Sequence, residues 1–590
     1  MARSFESPFD RARLAPVRLD RVSRPGVLAA PGESLRKSVH VAPGGRLDVA
    51  MGLVCPSGRP CRGGGRFTVV ARRGGKREIL LEREAAASGK STGWHEAALP
   101  LDRLTEGPVE IVLSYEAEEQ DASAGPAPAW AEPSLHRART SDRPNVLLVS
   151  IDTLRADHLG SHGYRRPTSP RLDAFAKTAV RFTRAYAQSP WTTPSHVSML
   201  TGLYPSGHRV NQPFTELARF LGGRGGYRLL SPRVETLAER LRREGYRTLA
   251  RTGGVGVDST LGFDRGFDVY ENDTELDPAT FARLTGWLDA YGDAPWFLFL
   301  HTYEVHAPYK RTDLASGVLS AAERAEIDRM RSEGRIGGSG LFKNHLRSRG
   351  LLRRDVTEAL YDGGILFMDG FLGRLLDELR RRGLDERTIV VFTSDHGEEF
   401  AEHHPDRFYD SHCTPVYDEL LHVPLMVRVP GRFAPRTVAD PVESVDIVPT
   451  LLQLLGIRVP ETVQGDSLVG LMGGGRAPSG WTLSEATCEG PEMKALREGR
   501  HKLVVASPPG GERSGLAAVS ERWLFDLRRD PGERANLLER DAARARAMEE
   551  RLRAVLARVT ASPGGVAARH PGDAVGDELR ERLRALGYVE

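Results

Sequence analysis

The chain has 590 residues, 40% apolar and 27% charged, which excludes a largely disordered or fibrous protein. Its 82 Lys and Arg nearly balance 79 Asp and Glu, for a net charge of +3. That balance excludes a nucleic-acid or anionic-membrane surface as the main function. Residues 1–35 are rich in Arg, Pro and Ser without periodicity, and read as a flexible arm. From 36 to 118, short apolar runs such as Arg46–Val54, Phe67–Ala71 and Val109–Tyr115 alternate with Gly-rich turns. This spacing predicts a β-sandwich accessory domain. It groups no acids, histidines or nucleophiles, so it reads as a packing module, with a carbohydrate- or partner-binding face as the alternative. Residues 119–143 are Pro- and Ala-rich and read as a linker.

At 144 the character changes. Asn145–Ile151, Trp296–Leu300, Thr388–Phe392 and Val423–Val427 are continuous apolar runs, the pattern of strands buried on both faces. Amphipathic helical patterns lie between them at Glu235–Glu244, Leu360–Arg380 and Asp446–Leu455. This alternation predicts an α/β domain over 144–479 with a mainly parallel sheet sandwiched by helices. Residues 311–355 are charged and helical and read as an insertion. Residues 480–590 read as a small C-terminal α+β subdomain, helical from Asp541 to Val559, with a further helical pattern at Asp573–Tyr588.

In such sheets ligands gather at the carboxyl ends of the strands. The first strand ends in Asp152 and another in Ser394-Asp395-His396-Gly397-Glu398. An Asp at one tip and an Asp-His pair at another can converge on one cation, although singly each also fits a helix cap or a turn. The segment Ser189-Pro-Trp-Thr-Thr-Pro-Ser-His196 opens a short helix whose free backbone N–H groups would face an anion. Thr192 and Ser195 offer hydroxyls there.

These residues carry a resemblance. Thr192-Thr193-Pro194-Ser195-His196, with Thr201-Gly202 following, resembles the sulfatase signature Cys/Ser-x-Pro-Ser-Arg. Further motifs stand in the family's order: Pro144–Asp152, Gly262–Asp268, His301–Tyr309, Thr393–Glu398, Val423-Pro-Leu, Val445–Thr450 and Leu524-Phe-Asp-Leu. The resemblance, to the sulfatase family of the alkaline phosphatase superfamily, covers residues 144 to about 540. It implies a metal-dependent ester hydrolase with Asp152, Asp395, His396 and Thr192 as metal ligands and Thr192 as nucleophile. It also implies His306 at the transferred group or leaving oxygen, and, more loosely, His412 as a polar active-site residue.

The departures matter as much. Sulfatases convert the motif's Cys or Ser into formylglycine, and Thr cannot yield that aldehyde because its β-carbon already bears a methyl. No formylglycine is expected. Thr192 would act as a plain alkoxide, assisted by the metal and by Ser195 or His196, which shifts weight from sulfate toward phosphate or phosphonate esters. Asp152-Thr153 and Asp395-His396 replace the family's Asp-Asp and Asp-Asn pairs, favouring one Mn²⁺ or Zn²⁺ over Ca²⁺. A second metal would draw on Glu304, His301, His306 and His412. His196 stands where the motif has Arg, and Arg251-Thr-Gly-Gly-Val stands near the place of a Lys-bearing segment. The weaker clamp fits a substrate of lower charge, such as a diester.

The expected substrate is a small-molecule, glycan or lipid ester. The alternatives are phosphotransfer to an alcohol and a non-catalytic binding protein. Asp446 reads as a helix cap and His208 as a structural residue. Glu398, Glu402 and His403 either support Asp395–His396 or form an exposed charged loop. Four cysteines are too few for a disulfide scaffold: Cys55 and Cys61 can pair or stay free, and Cys413 and Cys488 stand isolated. No apolar run reaches the roughly 18 residues of a membrane span, and the first residues lack an apolar signal segment. The sequence as it stands predicts a cytoplasmic protein, and a start placed elsewhere would make it periplasmic or secreted.

Overall fold

The computed structural model describes residues 5–6 and 14–569, except 31, 42–43, 56–60, 105–106, 119–124, 137–142, 213, 222–226, 275, 293, 334–335, 337–338, 404–411, 477–478, 489–490, 509–518 and 562–565. The expected Asp573–Tyr588 helix, and parts of the expected arm and linker, lie outside the described residues.

The apolar runs form the centre of the molecule. Asn145–Ile151, Trp296–Thr302, Arg247–Thr252 and Thr388–Ser394 are strands buried along their whole length. Strands covered on both faces need no polar alternation. In sheet order, Val269–Asn272, Arg247–Thr252, Trp296–Thr302, Asn145–Ile151 and Thr388–Ser394 run parallel. His422–Arg428 and then Val180–Tyr186 follow, with His422–Arg428 antiparallel to both of its neighbours. Helices cover both faces, and Arg354–Arg381 is a long one. The architecture is the α/β sheet sandwiched by helices that the sequence predicts, with the charged 311–355 stretch forming helices Ala321–Ser332 and Ser339–Ser348. At the C-terminal end, strands Trp481–Ala486, Glu492–Glu498, His501–Ser507 and Glu521–Asp526 make an antiparallel sheet. Helix Ala542–Thr560 packs on it through Met548, Leu552, Val555 and Val559.

Two expectations about the N-terminal region need correction. The supposed arm contains strands Ala15–Leu19 and Val22–Leu28. Val17, Leu19 and Val27 are buried, and this pairing signal is obscured by the Arg- and Pro-rich composition. The supposed linker contains strands Ala127–Ala131 and Ser134–His136. Trp130 anchors them, fully buried and edge-on to Phe67 at 5.0 Å. Strand Val22–Leu28 pairs with both Ala127–Ala131 and Val269–Asn272, so the N-terminal strands continue the central sheet. Behind them, Leu47, Met51 and Leu53 face Phe67, Val69 and Leu113 across two layers.

One cysteine pair takes an alternative left open, and the other differs from expectation. Cys55–Cys61 and Cys413–Cys488 are both disulfides, the second joining residues 75 apart in sequence, a pairing that spacing cannot reveal. Asp446 does not cap the following helix with its side chain. Its carboxylate accepts the amides of Glu443 and Asp466 at 2.9 and 2.7 Å. His208 is structural as read, bonded to Ser198 and to the Val210 amide. Among the described residues no helix is long and apolar enough to cross a membrane.

One buried ion network joins the two regions. Asp268 accepts from Arg242 Nε at 2.7 Å and from the Thr248 amide at 3.0 Å. Arg247, 5% exposed, lies beside it and reaches Ser134 Oγ at 2.7 Å, while Arg242 also pairs with Glu132. Burial opposes the charged form of Asp268, but Arg247 and Arg242 outweigh it and hold the carboxyl below its usual range. Asp268→Asn should therefore cost about 3 kcal/mol, because it leaves Arg247 buried beside a neutral partner. The wild-type contribution is present above the ordinary carboxylate pKa of about 4 and is lost as pH falls through the lower native value. Thermal melts of both proteins from pH 7 to 3 check this: the gap between them should narrow at the acid end.

Candidate functional site

The in-register parallel pairing of Ile151 with Ser394 and with Thr302 sets Asp152 beside Asp395 at the carboxyl edge of the sheet. Both are fully buried. The turn after Asp152 is tight, with Thr153 at φ 59°, a left-handed conformation that β-branched residues rarely take. It aims the Thr153 amide at Asp395 Oδ1 (3.2 Å), which also accepts the His396 amide (2.9 Å). Asp395 Oδ2 has no hydrogen-bond partner, and neither does Asp152 Oδ1.

Helix Thr192–Thr201 brings the third element. Thr192 is its first residue, 8% exposed, and the turn before it supplies no side-chain cap. Thr192 Oγ1 lies 3.4 Å from Asp152 Oδ2 and 3.4 Å from His396 Nε2. The chain at Gly256 presses against it: a Cβ there would meet Thr192 Cβ at 2.9 Å. This is the Arg251-Thr-Gly-Gly-Val-Gly stretch. It reaches the site as backbone, while Arg251 turns to the carbonyls of Thr252 and Asp273.

Fixed backbone groups decide the histidine tautomers. A carbonyl only accepts and an amide N–H only donates, so each such contact assigns a ring nitrogen. His396 Nδ1 donates to the Gly397 carbonyl at 2.8 Å. Its Nε2 lone pair therefore faces Asp395 Oδ2 (3.4 Å) and Asp152 Oδ1 (3.7 Å). His301 is the reverse: its Nδ1 accepts the Gly253 amide (3.3 Å), so Nε2–H donates to Asp152 Oδ2 (3.2 Å). His196 Nδ1 donates to the Thr192 carbonyl at 2.9 Å and its Nε2 meets Ser150 Oγ at 3.0 Å. Burial holds all three rings neutral, pushing His196 and His396 down to about 3 and His301 to about 4. Burial, with Glu398 adding to it, raises Asp152 to about 7, and burial with Asp152 raises Asp395 to about 6.

Asp152 Oδ1, Asp395 Oδ2 and His396 Nε2 are thus three buried acceptors facing one another with no donor between them. Asp152, Asp395 and His396 each offer one ligand atom, and these atoms lie within 4.8 Å of one another. This donor set fits a divalent cation, and its nitrogen suits a transition metal. A second group of His196, His301 and Asp395 has similar spacing, but both nitrogens of each ring already have partners. Glu304 is turned to Arg311 at 2.6 Å. The residues considered for a second metal are therefore engaged elsewhere or lie farther along the cleft.

There, His306 donates from Nδ1 to the Ala307 carbonyl (2.7 Å), accepts Tyr303 Oη–H at Nε2 (2.9 Å) and stacks on that ring at 3.9 Å. Burial, with His412 beside it, holds its pKa well below the usual value. His412 packs on His306 and His396, ring centres 4.9 and 4.8 Å away. Its Nδ1 lies 3.1 Å from Glu398 Oε1, whose other oxygen accepts Tyr309 Oη–H at 2.5 Å. Glu398 is fully buried, so the exposed-loop reading fails for it. Glu402 pairs instead with Arg155 and Arg354, and His403 with Glu419. Ser195 Oγ donates to the Asp395 carbonyl at 2.6 Å, so the hydroxyl and both His196 nitrogens are engaged away from the Thr192 hydroxyl. Sequence reasoning missed Tyr303 and the bond from His301 to Asp152. The Tyr-x-x-His spacing was an available signal for Tyr303, whereas the bond from His301 depends on the Ser150–His301 register of the folded sheet.

Comparison with known proteins identifies the family. Residues 144–457 match the sulfatase family. The chain is 26% identical over 465 residues to choline-sulfatase of Rhizobium meliloti (strain 1021), covering 68% of this chain and 83% of the relative. It is 26% identical over 486 residues to the multifunctional alkaline phosphatase superfamily protein PehA of Trinickia caryophylli, covering 67% and 91%. Its fold is similar to the phosphonate monoester hydrolases of Agrobacterium radiobacter (TM-score 0.51, 23% identity, 73% of this chain and 100% of that one) and Silicibacter pomeroyi (0.54, 22%, 73% and 100%). Carrying that family's sequence over more than half its length, on that family's fold, the chain belongs to the sulfatase family of ester hydrolases.

Proposed function

We propose that this enzyme hydrolyses singly charged phosphate or phosphonate esters, diesters in the first case and monoesters in the second, through a covalent bond to Thr192. The observation that carries the reading is the Thr192 hydroxyl, seated between Asp152 Oδ2 and His396 Nε2. Asp152, Asp395 and His396, with Thr192 Oγ1, would hold the divalent metal on which the family depends. When bound, that ion supplies Lewis-acid charge at the reacting group.

The chain's own residues then do the following. Thr192 Oγ1 attacks phosphorus in line with the leaving oxygen, and its proton passes to Asp152 Oδ2, the carboxylate oxygen it faces. His301 Nε2–H holds that oxygen in place. The leaving oxygen needs a proton as its bond to phosphorus breaks. Of the two histidines expected there, His306 is held neutral with its Nε2 lone pair occupied by Tyr303. His412 has the Glu398 carboxylate behind it, which stabilises its protonated form, so it is the donor. Neutral His412 then takes a proton from the incoming water. Water oxygen bonds to phosphorus, Thr192 Oγ1 leaves and recovers its proton, and the enzyme returns to its starting state.

Substrate charge follows from the clamp. Neutral His196 occupies the place of the family's motif Arg. Arg155 is committed to Asp157, Glu402 and the Glu398 carbonyl, and Arg251 to backbone carbonyls. A site with this much less fixed positive charge favours a monoanion over a dianion. The two disulfides support an oxidising setting, periplasmic or extracellular rather than cytoplasmic.

In a panel of nitrophenyl esters, bis(nitrophenyl) phosphate or nitrophenyl phenylphosphonate should exceed both the sulfate and the phosphate monoester in kcat/KM by at least about tenfold. A sulfate preference would retire the phosphoryl reading. Thr192→Ala should lower kcat by about three orders of magnitude or more while bound metal stays stoichiometric. Intact-mass analysis of wild type quenched during turnover should show the phosphorylated chain. His301→Leu should weaken Mn²⁺ binding to the metal-free protein by about 10–100-fold, with His301→Gln, which keeps a donor, closer to wild type. Calorimetric titration reads this without reference to activity.

A further inference from the structure

Cys413 directly follows His412 and is bonded to Cys488, which is fully buried. Cys488 lies just past strand Trp481–Ala486 of the C-terminal sheet. That strand is fastened to the chain leading into the nucleophile: Ser484 Oγ donates to the Ala187 carbonyl at 2.6 Å, and the Glu485 amide to the Gln188 carbonyl at 2.8 Å. Thr487, next to Cys488, donates its hydroxyl to the Asn211 carbonyl. Cys488 is therefore a point fixed relative to Thr192.

Cys413 is held from a second side, its amide donating to the Pro190 carbonyl at 2.8 Å. It sits at φ 95°, in the left-handed region that a residue other than glycine keeps only where its surroundings enforce it. The disulfide and this amide bond together fix the backbone from which His412 reaches Glu398, His306 and His396.

We propose that the Cys413–Cys488 disulfide is a positioning element of catalysis, holding His412 where it protonates the leaving oxygen, so that reducing the disulfide disables that step while leaving the nucleophile and metal ligands in place. This rests on the reading of His412 as the proton donor. The redox step is a simple exchange: a dithiol reductant gives two electrons and two protons to the S–S bond, yielding two cysteine thiols and the oxidised reagent. Loss of the donor matters most where the leaving oxygen is basic. A nitrophenolate departs without help, whereas an alkoxide does not.

The test uses the full chain with metal bound. A C55A/C61A background leaves Cys413–Cys488 as the one disulfide, and is assayed oxidised and after dithiothreitol. A C413A/C488A variant in the otherwise wild-type chain gives an independent arm. Each is measured on a nitrophenyl and an alkyl diester, with metal content checked. The expected result, read as single-turnover release of the leaving group because His412 also serves the later water step on both esters, is a loss of at least about tenfold for the alkyl ester in both arms, with nitrophenolate release within about twofold. Equal losses on both esters, no loss on either, or peptide mapping that finds Cys413 and Cys488 as thiols in the oxidised protein would overturn the proposal. His412→Ala separates the two levels. If it shows the alkyl-selective loss and the disulfide variants do not, the positioning role alone fails. If His412→Ala shows no such selectivity, the donor reading fails and the proposal with it.

Discussion

The structure is organised around an electrostatic deficit. Two carboxylates sit within a few ångströms of each other at the buried edge of the sheet, each keeping one oxygen without a hydrogen bond. At that spacing two like charges repel by roughly 3–4 kcal/mol even at an effective dielectric near 20, and burial adds to the cost. Donors reach the other two oxygens, from the Thr153 and His396 amides and His301 Nε2, but the lone pair of His396 faces both orphaned ones, and His196 Nδ1, 3.5 Å from Asp395 Oδ2, is directed to the Thr192 carbonyl. The arrangement makes sense only as a receptor for positive charge, and the rise in the native pKa of both acids is the same deficit seen by protons. The sheet must be rigid enough to hold that repulsion, which is why the strands bearing it are buried on both faces.

Around the deficit, the protein fixes direction rather than charge. His301 and His396 are chemically the same side chain, reaching the cluster from the two strands that flank Asn145–Ile151, yet they face it with opposite nitrogens. The difference comes from one backbone group each, the Gly253 amide and the Gly397 carbonyl. One ring becomes a donor that pins Asp152 Oδ2, and the other an acceptor aimed into the cluster. His196, held by the Thr192 carbonyl, contributes neither charge nor a free lone pair. An arginine there would bring a permanent cation beside Thr192. The exchange lowers the attraction for anions generally and leaves substrate discrimination to the metal and to the His412 end of the cleft.

What the sequence makes legible follows from how local each signal is. Asp152, Asp395 and His396 can be read because each ends a run of apolar residues long enough to be a strand, and Thr192 because a Pro/Ser/Thr turn announces its helix. The alternation of buried strands and amphipathic helices likewise declares the sheet. Strands Ala15–Leu19 and Ala127–Ala131 are not legible, because Arg, Pro and Ala dominate their composition, and the partners of Ala127–Ala131 lie far off in sequence. The tautomers of His196, His301 and His396 are beyond sequence altogether: each depends on where one backbone atom of a folded turn points. The Cys413–Cys488 bond is hidden for a similar reason, since only docking of the C-terminal sheet brings residues 75 apart together.

That docking explains why a C-terminal subdomain with no ligand of its own belongs to the site. The Trp481–Ala486 strand bonds through Ser484 and Glu485 to the chain just before Thr192, and the adjoining Cys488 bonds to the loop bearing His412. One edge strand thereby ties Thr192 to His412, the two sides of the cleft to which the proposed mechanism gives attack and departure. The in-line displacement proposed here requires those two sides to stay opposed while phosphorus moves between them. The central sheet cannot secure this alone, because it carries the acids and the imidazole but neither Thr192 nor His412. The opposing groups arrive on a helix and a loop, and the smaller sheet is the common frame that ties both.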